Sequence, residues 1–148
     1  MHHIAATKTD TKAVASVAAS ATHSHEIDTL GYEYASIDVI FSPFTAAAAA
    51  AALVLKLQQS DASGSGQANV SGFVAGTDFT MAAGVTTGSG NAGYVCRMNV
   101  DLRGKKRYLT VAATPGLTVA VATVARLGRG NQAPTDATSG NTSNWVNG

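Results

Sequence analysis

A chain of 148 residues holds one domain whose core covers roughly two thirds of the surface exposed on unfolding, which excludes a pair of catalytic domains. Charged residues make up 13% of it, against roughly a quarter in an average soluble protein, so its surface of small and weakly polar residues suits lasting contact with other protein. The net charge of +1 joins an acidic stretch to a basic one: residues 1–96 carry three Lys against seven acidic residues, a net −4, and residues 97–148 carry seven basic residues against two acidic ones, a net +5.

Residues 1–30 are small and polar, with Ala13 to Ala18 the one part that reads as a strand, and are expected to form an N-terminal arm. The body begins at Tyr32. Ala35, Ile37, Val39 and Phe41 alternate with Tyr34, Ser36, Asp38 and Ile40, the period of a strand, and Pro43 ends it. Seven alanines from Ala46 to Ala52 leave two readings open, a short helix by propensity or a featureless surface for another chain's backbone. Leu53, Leu55 and Leu57 alternate with Val54, Lys56 and Gln58 as a second strand, closed by the Asp61 to Gly66 loop. Short β segments follow at Asn69 to Val74 and Phe79 to Ala82, then a Gly/Thr/Ser loop from Gly84 to Gly93.

Tyr94, Cys96, Met98 and Val100 alternate with Val95, Arg97, Asn99 and Asp101, a strand with one apolar and one polar face. Leu102 to Lys106 is a Gly-centred connection, Arg107 to Ala113 a further strand, and Leu117 to Leu127 a β-branched strand expected to be buried on both faces. Strands spaced at roughly ten residues predict an all-β single sandwich, jelly-roll-like in outline. The domain plan is an arm (residues 1–30), a sandwich body (31–128) and a C-terminal tail (129–148). The arm and the Gly/Asn/Thr/Ser-rich tail bury too little to order themselves, so other protein is expected to hold them.

Chemistry has little foothold. His23, His25, Glu26 and Asp28 are the most metal-like cluster, since residues i and i+2 of an extended chain project to one side, but no third ligand stands at a defined spacing and solvated or interface polar residues are the better reading. No metal or other cofactor is expected. Cys96, on an apolar strand face without a nearby base, reads as a buried structural thiol. One cysteine excludes an internal disulfide. The first residues lack a basic segment followed by an apolar one, and no run of about 18 apolar residues occurs, so neither secretion nor a membrane is expected. Arg103, Lys105, Lys106 and Arg107 form a basic turn beside Tyr108. It suits a phosphate backbone or an acidic protein surface, and the protein surface is the better reading because a nucleic-acid binder carries a larger net positive charge.

Three stretches, Leu30 to Val39, Leu55 to Asp61 and Val100 to Leu109 with its core Asp101-Leu102-Arg103-Gly104-Lys105-Lys106-Arg107-Tyr108, resemble a family of small bacteriophage head proteins encoded near the major capsid protein. The resemblance implies a non-enzymatic decoration or cement subunit of the virion, made in the host cytoplasm. It would bind the major capsid protein on the outer face of the phage head and form a homo-oligomer, a trimer in this family. The resemblance carries over no site; by charge, the basic turn of Arg103, Lys105, Lys106 and Arg107 supplies the expected partner-binding residues. The alternatives are a tail or neck structural subunit, a carbohydrate-binding module using Tyr32, Tyr34 and Trp145, or a single-strand nucleic-acid binder.

Overall fold

A computed structural model describes residues 7–43, 54–81 and 94–129. Among the described residues eight strands run in chain order: β1 (Lys8–Val17), β2 (His23–Asp28), β3 (Tyr34–Phe41), β4 (Val54–Ser60), β5 (Ala68–Val74), β6 (Tyr94–Asp101), β7 (Tyr108–Thr114) and β8 (Val119–Gly128). They form two antiparallel four-stranded sheets, ordered β1-β8-β3-β6 and β2-β7-β4-β5, and the protein is an all-β sandwich.

The pairing has a simple logic. β4 pairs with β5, β3 with β6, β2 with β7 and β1 with β8, as in one long two-stranded ribbon folded at the β4–β5 hairpin. Successive lengths of that ribbon lie in alternate sheets, and the added pairs β3–β8 and β4–β7 knit each sheet together.

Period-two alternation supplies the core. Ala35, Ile37, Val39 and Phe41 of β3 face Leu55 and Leu57 of β4 and Leu109, Val111 and Ala113 of β7 in one buried cluster, with Val121, Ala125 and Leu127 of β8. Each large aliphatic side chain fully removed from water contributes about 1.5–3 kcal/mol.

Three sequence expectations change. Residues 8–17 and 23–28 are strands of the two sheets rather than an arm, because β8 and β7 offer them unfilled hydrogen-bonding edges. β8 does alternate: Val119, Val121, Thr123, Ala125 and Leu127 are buried, while the residues between them stay partly or fully open on the outer face. Phe79 makes an isolated bridge to Ala75 instead of opening a strand, since Asp78 turns the chain there by accepting from the Gly72 and Val74 amides at 2.9 and 3.0 Å. The Ala46 to Ala52 run and the tail beyond Arg129 lie outside the described residues.

Candidate functional site

The basic turn joins β6 to β7 at one end of the sandwich. Gly104 allows the reversal, with φ +77°, and the Lys105 amide donates to the Leu102 carbonyl at 2.9 Å. Its cations are not held out together for a phosphate chain. Arg103 forks onto Asp101, with Nη2 to Oδ2 at 2.6 Å. Lys106 Nζ meets Asp61 at 2.6 Å. Arg107 forks onto Asp28 at 2.8 and 2.9 Å and lies over the Tyr108 ring, 4.9 Å from its centroid. Arg103 holds the Asp101 carboxyl down to about 2, and Arg107 lowers that of Asp28. Lys105 is exposed and has no ion pair among the described residues. The patch is a mosaic of four cations against Asp28, Asp61 and Asp101, which suits a charged protein surface better than a polyanion.

The split between an acidic and a basic half of the chain is therefore closed largely within the molecule. Asp28–Arg107, Asp61–Lys106 and Asp38 with Arg97 and Arg126 all join residues remote in sequence.

A second constellation escaped sequence reasoning. On the outer face of β1-β8-β3-β6, Asp38 lies directly opposite Arg97 and accepts from Arg97 Nε at 2.6 Å, Arg97 Nη2 at 3.0 Å and Arg126 Nη1 at 3.3 Å. The carboxylate is buried, while both arginines are more than half exposed. The hydrogen bond from Arg97 is the first cause of the lowered Asp38 pKa. Beside them stand exposed Ile40 and Val95, opposite one another in register. Alternation alone placed Asp38 and Arg97 on the polar faces of their strands, but only the register brings them together.

His23 and His25 do project to one side of β2, as the spacing requires, but inward rather than to solvent. His23 Nε2 meets Thr123 Oγ1 of the other sheet at 3.0 Å, and His25 Nε2 meets Asp10 Oδ1 at 3.2 Å. Lys8 and Lys12 of β1 donate to the Asp28 and Ser24 carbonyls of β2. Side chains thus close the seam where β1 and β2 face each other. Burial lowers both imidazole pKa values, with Lys12 adding to the effect. Among the described residues no group of three or more His, Cys, Asp or Glu is placed to hold a metal ion. Glu26 turns away to accept from Ser63 and the Gly64 amide.

Cys96 lies half-buried on the inner face, and burial raises its pKa. Tyr32 packs on the core and Tyr34 is exposed, so these two rings do not present a common platform for a sugar. Among the described residues no helix is long and apolar enough to cross a membrane. No protein-family model matches this chain, and no curated protein matches it.

Proposed function

We propose that this protein is a structural, non-enzymatic virion subunit that decorates and cements the outer surface of a phage head through contacts with the major capsid protein. The observation that carries the reading is the threading of the sheets. We read the folded ribbon that gives β1-β8-β3-β6 over β2-β7-β4-β5 as jelly-roll-like, an architecture used by viral shell proteins and also by lectins. The resemblance of the Asp101 to Tyr108 segment to head decoration proteins favours the first of these over the second.

The physics of cementing fits the surface. Several weak contacts per subunit, multiplied over a lattice, give tight attachment without any one strong site. A ligand that binds the intact shell and ignores its dissociated parts stabilises the shell by mass action. The mosaic turn around Arg103, Lys105, Lys106 and Arg107 is the proposed capsid contact, and a homotrimer, as the resemblance implies, is the proposed assembly on the head.

The test is to add the protein to undecorated, DNA-filled heads and to heat them. DNA release is expected at a higher temperature when the heads are fully occupied, with a fixed copy number per capsomer. Full occupancy with an unchanged release temperature removes cementing from the reading. Location at the tail alone replaces it with a tail or neck subunit.

A further inference from the structure

We propose that β6 is an assembly edge, and that its partner is β6 of a second copy of this chain, added antiparallel about a two-fold axis. A sheet edge is a row of unpaired N–H and C=O groups, and natural proteins blunt such edges unless they use them. Three of the four edges here are blunted. β1 carries a register shift between Lys12 and Ala15. The outward carbonyls of β2 at Ser24 and Asp28 are taken by Lys12 and Lys8. β5 has an irregular register, and its Gly72 and Val74 amides are taken by Asp78. β6 runs for eight residues against β3 with no shift, and from Val95 to Asp101 no side chain among the described residues caps its outward backbone groups.

The polarity of β6 is fixed by its neighbour. The Leu102 amide donates to the Glu33 carbonyl of the β3 side, so by alternation Val100, Met98 and Cys96 bond toward β3. Val95, Arg97, Asn99 and Asp101 then direct their backbone groups to the free edge.

Charge selects the register. Pairing centred on Arg97 sets two arginines against each other. Pairing centred on Asn99 sets Arg97, one of two cations sharing the single Asp38 carboxylate, opposite Asp101 of the second copy, whose carboxylate also holds its own Arg103. One symmetry operation thus gives two opposite-charge contacts where the Arg97-centred register gives a like-charge clash. The same register sets Met98 opposite Val100 of the second copy, so the inner apolar face continues across the axis. The occupant is thus a second copy rather than an unrelated strand, because the edge complements itself. The contact is two-fold, so it joins two subunits or two of the proposed trimers back to back, and loss of it halves the mass in either case; it is independent of the proposed role in the virion.

Asn99→Pro tests it. Proline removes the amide at the centre of the new ladder and no bond to β3, the position at which an edge strand accepts it. Mass by sedimentation or light scattering is expected to be halved relative to wild type, with the far-ultraviolet β signal kept. Asp101→Arg, at the strand end, is expected to weaken association at least tenfold. Asn99→Cys in a Cys96→Ala background is expected to form a disulfide-linked dimer on mild oxidation, because the paired Cα atoms of a hydrogen-bonded antiparallel pair lie about 5.5 Å apart, within disulfide reach. Should Asn99→Pro fail to fold, Asp101→Arg and Asn99→Cys decide the matter. A wild-type monomer across the concentration series overturns the proposal, as does an assembly of unchanged mass in folded Asn99→Pro or one that Asn99→Cys fails to cross-link.

Discussion

His23 and His25 are the residues whose environment differs most from their sequence context. In a polar stretch they read as solvated; in the fold they are buried between sheets, with His25 Nδ1 lacking a partner among the described residues. Both have pKa values lowered from 6.5, first by burial, so the unfolded chain binds protons more readily than the folded one. The stability they confer is complete above about pH 6.5 and falls as pH drops below it toward the folded values. The urea midpoint is expected to fall between pH 7.5 and pH 5, and His23→Gln with His25→Gln should flatten that slope. The lowered carboxyls of Asp28, Asp38 and Asp101 act in a separate window, their contribution being present above about pH 4 and lost in stronger acid. Asp38→Asn leaves Arg97 and Arg126 without their shared charge, and a loss of about 1–2 kcal/mol is expected, held down by the exposure of both arginines. Denaturant unfolding at pH 7 measures it.

At the scale of elements, β3, β4 and β6 were legible because an apolar face alternating with a polar one is a local pattern, and β7, buried on both faces from Leu109 to Ala113, was legible from Leu109 and Val111 following the Gly104 turn. β1 was not. Its Lys8, Asp10 and Lys12 serve β2, and six consecutive residues from Thr11 to Ser16 are exposed, so no period marks it. The consequence is concrete. An arm over residues 1–30 predicts that a chain lacking residues 1–28 still folds, whereas the observed strands predict the opposite. Removing β1 and β2 strips edge partners from β8 and β7 and uncovers Leu127, Val121 and Val111, which are fully buried in the intact chain. The truncated protein is expected to lose its cooperative thermal transition, read by circular dichroism. The Gly104 turn, by contrast, was visible as punctuation, since φ +77° is a conformation that glycine adopts freely.

Over the whole molecule the chain closes on itself, Lys8 pairing with Leu127 and His23 with Ala113. Contacts this remote in sequence must be reached before they contribute, so refolding from denaturant is expected in milliseconds to seconds, and stopped-flow fluorescence or circular dichroism measures it. Closure also spends the charge asymmetry inside the molecule, which bears on the basic turn. Lys105→Glu is expected to leave stability within about 0.5 kcal/mol of wild type while reducing attachment to phage heads; unchanged attachment would move the contact elsewhere on the surface. The sequence by itself determined the all-β class, the body strands and their inward faces, because side-chain alternation is set by the backbone two residues at a time. Only the tertiary structure decided that residues 8–28 belong to the sheets, that Asp38 lies beneath two arginines and that the histidines are buried. Each of these depends on a partner brought from a distant part of the chain, and no local pattern records which partner arrives.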